Sequence, residues 1–207
     1  MSVPHARSHA ALRATGFVCE CLGFGTSAWL SRRPEVRDAL SLTPAMIGTM
    51  LLIASLGSLV TLPSSGPLVT AIGARASGRI GVSIWAIGVS CAGVGALHAS
   101  IPLATLGLVL LAAGNGLWGA TMNIEAGLVQ AAVRRTVVPI IQAMYAVGML
   151  GGALLGALAS QLGVPLGVHL FGLAALELIA CGTAVGFYLT KEEVASISPV
   201  KDTDNGE

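Results

Sequence analysis

The sequence predicts an all-α integral membrane protein with six transmembrane helices. Two observations carry that reading. Only 10% of the 207 residues are charged and 54% are hydrophobic, with a mean hydropathy of +0.82. A soluble domain carries about 25% charged residues, so this chain has too few to cover a water-facing globule. Apolar stretches near the roughly 20 residues that a helix needs to cross a bilayer also recur six times, at about 12–30, 44–64, 79–98, 101–125, 137–160 and 166–189. The formal net charge of +1 offers no basic surface for nucleic acid.

The first span follows a short N-terminal segment, residues 1–11, which has no cleavable-leader pattern. "SRRPEVRDALSLTP" separates it from the second span, and "SSGPLVTAIGARASGR" separates the second from the third. "HASIP" is a tight turn before the fourth, "QAAVRRTVVP" precedes the fifth, and "SQLGVP" precedes the sixth. Pro44, Pro102, Pro139 and Pro165 stand near helix starts, where a missing N–H costs little. The transmembrane domain therefore covers 12–189, and 190–207 is expected to be a polar tail. Eight Lys and Arg (Arg7, Arg13, Arg75, Arg79, Arg134, Arg135, Lys191, Lys201) fall on one side of this topology and three (Arg32, Arg33, Arg37) on the other. The positive-inside rule then puts both termini in the cytoplasm of a multi-pass protein of the cell membrane.

Small residues form stripes. Gly148, Gly152 and Gly156 repeat every four positions in the fifth span, and Gly182 and Gly186 repeat that spacing in the sixth. In lipid, such stripes let helix backbones approach closely.

Polar residues inside the spans are the candidate functional groups, because a charge at the bilayer centre costs about 2.5–3.5 kcal/mol on insertion scales. Glu20 lies midway along the first span and is the candidate coupling carboxylate. Asn115, Asn123, Gln142 and Tyr145 are candidates to line a polar path, their amides and hydroxyl suiting a hydroxylated or amide-bearing solute. Trp29 and Trp118 could stack on a sugar face or anchor at the interface. Glu125 is expected to pair with Arg134 and Arg135 at the interface, and Glu177 hints at a partner contact. His98 and His169 read as interfacial. Cys19 and Cys21 flank Glu20, but the sequence offers no third ligand nearby, so no metal or cofactor is expected. "GVS" at Gly88–Ser90 with a later His169 is too little for an intramembrane serine protease, and there is no P-loop for ATP. No enzymatic activity is expected.

Four segments carry a resemblance. "SAWLSRRPEVRDALSLTPAMIGTMLL" leads into "LGSLVTLPSSGPLVTAIGAR", and "MNIEAGLVQ" is followed by "MYAVGMLGGALLG". Together they resemble the N-terminal part of a major facilitator superfamily transporter, near the sugar-permease-like group. The outer-loop match rests on Trp29, Arg32 or Arg33, Pro34, Val36, Arg37, Leu40, Leu42 and Thr43. The loop between the second and third helices resembles the family's G-x-L-x-D-R-x-G-x-R in Gly66, Leu68, Gly73 and Arg75, and departs from it at Thr70 and Ala71. In the family that loop forms part of a cytoplasmic latch, so the resemblance implies a latch built here without its usual acid. It further implies a secondary transporter of a small solute, in which two six-helix halves face each other across a midplane site. The six spans correspond to one half bundle. The opposite wall would come from a second copy or a separate second half, with alternating access and proton coupling as the implied mechanism. The alternative is a non-transporting remnant, or a scaffold that associates through its small-residue helices.

Overall fold

The computed structural model describes residues 4–197, all in helices or short connections. The helices are α1 (His5–Ser31), α2 (Arg33–Ala39), α3 (Pro44–Ile72), α4 (Ala74–Leu97), α5 (Ile101–Val133), α6 (Val138–Gln161), α7 (Leu166–Ala184) and α8 (Lys191–Ile197), with a 3₁₀ turn at Val185–Phe187. Five of them, α3 to α7, are long and apolar enough to cross a membrane. At 27 residues α1 is long enough too, but Arg7, Arg13, Glu20 and several serines and threonines keep it more polar.

Their starts follow the sequence punctuation. Pro44, Pro102 and Pro139 occupy the first positions of α3, α5 and α6, and Pro165 caps α7. The Thr43 hydroxyl accepts the Met46 N–H to cap α3. The Gln130 side chain, on α5, accepts from the N–H groups of Val137 and Val138 at 3.0 and 3.2 Å. It thereby satisfies the otherwise orphaned donors at the start of α6.

Several boundaries differ from the sequence reading: α1 starts at His5 and not near residue 12, and α5 continues past residue 125 to Val133. The second span, expected to end near residue 64, runs on to Ile72 through Pro63 and Pro67. The Ser64 and Thr70 hydroxyls bond back to the carbonyls of Val60 and Gly66, an accommodation that membrane helices allow. Gly73 alone, at φ 88°, then turns the chain into α4. That left-handed backbone favours glycine.

Two helix pairs form the framework. α1 lies along α6 and α4 along α5, while α3 covers another face of α5 and α7 leans on α4 and α1. A methyl at Gly148 or Gly152 would sit inside van der Waals contact of the Glu20 or Phe24 carbonyl, and one at Gly23 would strike the Tyr145 carbonyl. The α6 stripe thus lies backbone to backbone on α1. A second zipper, absent from the sequence reading, joins α4 to α5. Gly81, Gly88 and Gly95 recur every seven residues on α4 and face Trp118, Leu111 and Ala104, while Gly107 and Gly114 of α5 face Ala92 and Trp85. Gly182 meets nothing within 4 Å and Gly186 meets only the Arg79 guanidinium. The second expected stripe, Gly182 with Gly186, is therefore not a packing seam.

Gly88→Leu or Gly152→Leu is expected to destabilise the purified protein by at least the roughly 1–3 kcal/mol typical of overpacking. Gly182→Leu is expected to leave stability unchanged. Thermal unfolding in detergent checks the contrast.

Candidate functional site

α5 is covered on three sides, by α3, α4 and α1, and its remaining face carries the polar candidates. Asn115 and Asn123 are eight residues apart, about 80° around the helix and so on adjoining faces. They line one crevice with Ser58 and Leu62 of α3 and Ala112, Gly116, Gly119 and Ala120 of α5. Gly116 brings the α3 backbone at Ser58 close, and small residues make up the rest of the floor. The Thr26 hydroxyl on α1 bonds the Asn115 amide oxygen at 3.3 Å. The Gln142 amide on α6 donates to Asn123 Oδ1 at 2.7 Å, and Asn123 donates to the Gly119 carbonyl at 2.9 Å. Asn115, Asn123 and Gln142 thus form one polar surface across α5 and α6. Tyr145 is half-buried one turn beyond Gln142 on α6.

Glu20 sits elsewhere. It lines a smaller crevice of about 190 Å³ between α1 and α7, with Phe17, Cys21, Phe24, Leu176, Glu177 and Ala180. Glu20 is half-buried, whereas Glu177 is only 1% exposed. The Cys181 thiol bonds Glu177 Oε2 at 3.5 Å. Ligand atoms of Cys21, Glu177 and Cys181 all lie within 4.8 Å of one another, the one grouping among the described residues with the make-up of a metal site.

Several readings of single residues change. Trp118 is fully buried and packs edge-on against Trp85 at 5.8 Å, so it does not present a stacking face. Glu125 does not pair with Arg134 and Arg135. It is 0% exposed, and its Oε1 accepts the Leu189 N–H at 2.6 Å. Helical rotation explains this, since Glu125 lies on the α5 face that packs inward with Thr121 and Met122. His169 is buried in the first turn of α7, beside Arg32. Ser90 donates to the Ala86 carbonyl at 2.8 Å, an ordinary intrahelical bond.

The two ends of the described chain meet around residues 187–189, an arrangement with no local signature in sequence. Arg7 of α1 bonds the Phe187 carbonyl, the Tyr188 carbonyl and Glu193, the last at 2.8 Å. Arg75, at the start of α4, bonds the Tyr188 carbonyl at 2.8 Å, and Lys191 reaches the Ala71 carbonyl. Of the loop candidates, Arg75 and Gly73 thus take part in joining α3 and α4 to the end of α7. Leu68 is half-buried on α3, and Gly66 has open space beside it. Thr70 bonds within its own helix, and it is the Tyr188 carbonyl after α7 that accepts from Arg75.

At the opposite end, Arg32 is 1% exposed. Its guanidinium bonds the Val164 carbonyl at 2.6 Å and Glu35 at 2.7 Å. Glu35 also accepts from Ser160, tying α2 to the end of α6. Arg33 instead lines a pocket of about 350 Å³ with Trp29, Pro34, Arg37, Leu42 and Met50.

The model of the Major Facilitator Superfamily matches residues 15–204. The chain belongs to this superfamily. Relatives include an uncharacterised transporter of Sinorhizobium fredii, 30% identical over 156 residues, which are 75% of this chain and 40% of that protein. An uncharacterised MFS-type transporter of Yersinia pestis is 30% identical over 133 residues, 63% of this chain and 33% of that protein. The chain therefore spans well under half the length of these curated relatives. No solved structure gives a significant match. As a superfamily member with several membrane-length apolar helices, the chain is a multi-pass membrane protein of a transporter family.

The Arg7–Glu193 pair responds to acid. Burial alone would raise the Glu193 pKa, but the Thr190 N–H and Arg7 outweigh it and hold the carboxyl below its ordinary value. A depressed pKa contributes stability that is present above the unfolded value, near 4.3, and lost as pH falls through the folded one. Hydrogen exchange across 191–197 is expected to speed up as pH drops below about 4, after correction for intrinsic rates. Glu193→Gln is expected to remove that acid-dependent step.

Proposed function

We propose that this chain is one six-helix half bundle of a secondary transporter that moves a small solute by alternating access. The observation that carries the reading is the polar surface of Asn115, Asn123 and Gln142. It is flanked by the two barest helices. α3 exposes Leu52, Leu56, Leu59 and Val60, and α6 exposes Val147, Leu150, Leu154 and Leu158. A polar strip between apolar edges suits a wall that closes against a second wall, supplied by a second half or a second copy. The short solute-facing groups are amides and hydroxyls, which favour an uncharged, hydrogen-bonding solute. Glu20, in the separate crevice, is the coupling candidate of this reading.

Six crossings are supported by the bond between Arg7 and Glu193, because an even number of crossings returns the chain to the side where it began. With the excess of basic residues there, that side is the cytoplasm of the cell membrane. In intact cells, His98→Cys is expected to react with a membrane-impermeant maleimide and Arg135→Cys to react only after permeabilisation. The reverse pattern would invert the topology.

A thermal-shift screen of uncharged polyols, sugars and amides on the purified chain tests the solute reading, since a ligand that binds only the folded state stabilises it by mass action. A stabilising solute is expected whose effect disappears in Asn123→Ala and in Gln142→Ala. Stabilisation that persists in both variants would place the solute elsewhere. No stabilisation by any solute would favour a non-transporting role.

A further inference from the structure

We propose that Cys21, Glu177 and Cys181 form a binding site for a divalent metal ion of zinc or cadmium character, clipping α1 to α7. The two cysteines of the "CEC" stretch are not the pair. Two residues apart on a helix, Cys19 and Cys21 point about 200° apart. Cys21 instead faces α7, where Glu177 and Cys181 lie four residues apart on one side of the helix. The three ligand atoms fall within 4.8 Å of one another. A tetrahedral ion with metal–sulfur bonds of about 2.3 Å holds its ligands roughly 3.8 Å apart, a spacing these rotamers reach with small adjustments.

The carboxylate supplies the second observation. Glu177 is 1% exposed, and among the described residues no basic side chain pairs with it. It accepts from the Cys181 thiol, a weak donor, and the Cys21 thiol and the Gly25 N–H also act on it. The space it occupies is built for it. A methyl at Gly25 of α1 would lie 3.0 Å from Glu177 Oε1 and 2.9 Å from the Trp85 ring. Glycine at that position admits the carboxyl between α1 and α4.

Charge and softness choose the ion. Two thiolates and the Glu177 carboxylate meet the cation's two positive charges, so the loaded site carries a single net negative charge. That cancellation limits the desolvation penalty at this depth. Thiolate ligands select zinc-like ions over magnesium or calcium. Loading releases the two thiol protons, and the crevice lined by Glu20, Cys21 and Glu177 gives a route in.

Cadmium titration of the purified full chain, with reductant present, tests the site through the ultraviolet thiolate-to-cadmium charge-transfer band. One Cd²⁺ per chain is expected, with an intensity matching two thiolate bonds. Bound Cd²⁺ is expected to protect Cys21 and Cys181 from maleimide under partial denaturation, located by peptide mass spectrometry, while Cys91 stays unprotected. Cys21→Ser or Cys181→Ser is expected to abolish the band, and Glu177→Gln to weaken binding by about tenfold or more. Cys19→Ala is expected to keep it. Absence of the band in the wild-type protein, or a full band surviving in either serine variant, overturns the proposal. If a serine variant fails to fold, the wild-type stoichiometry and the protection pattern decide, and protection of Cys19 or Cys91 in place of Cys21 and Cys181 counts against it.

Discussion

The close approach of helix backbones, permitted by glycine, is the constraint on which the rest of this structure depends. In lipid, helices gain nothing from hiding apolar side chains from each other, so packing and hydrogen bonding must hold them. Here α6 lies on α1 through Gly148 and Gly152, and α4 lies on α5 through Gly81, Gly88, Gly95, Gly107 and Gly114. Because these pairs meet backbone to backbone, side chains elsewhere are free to serve other ends. Trp85 and Trp118 fill the interior beside the α4–α5 seam. Asn115 and Asn123 are left on the face of α5 that the seams do not use.

The same geometry separates the polar groups of the helices into three places. The amides of α5 and α6 form an open strip. Glu20, Cys21, Glu177 and Cys181 gather between α1 and α7. Glu125, Arg7, Arg75 and Glu193 meet around residues 187–189, where they bind backbone as much as each other. In this third group the carbonyls after α7 act as the common acceptor for arginines from two helices. That arrangement joins α1, α4, α5 and α7 at one end, while Arg32 and Glu35 join α1, α2 and the α6–α7 connection at the other.

Much of the fold was legible in sequence, because membrane helices announce themselves by length and composition, and prolines mark their starts. The α6 stripe was also legible in its four-residue spacing. The α4–α5 zipper has a subtler signal in the sequence, glycines every seven residues at 81, 88 and 95. What sequence could not supply was pairing between helices. Sequence proximity points Glu125 to Arg134 and Arg135, whereas its partner is the Leu189 N–H, 64 positions away. Sequence marks Glu20 and the amides alike as polar and intramembrane, and the structure puts Glu20 and the α5 amides in two crevices. Cys21 lacked a third ligand until α7 was folded beside α1.

The account rests most heavily on the claim that the Asn115–Asn123 face of α5 is a water-facing wall. Cysteine scanning of α5 in its native membrane, with a small hydrophilic thiol reagent, measures that directly. Labelling is expected at Ala112→Cys, Asn115→Cys, Gly119→Cys and Asn123→Cys, and absent at Leu117→Cys, Thr121→Cys and Glu125→Cys. Labelling of the second group, or no labelling of the first, would contradict the account.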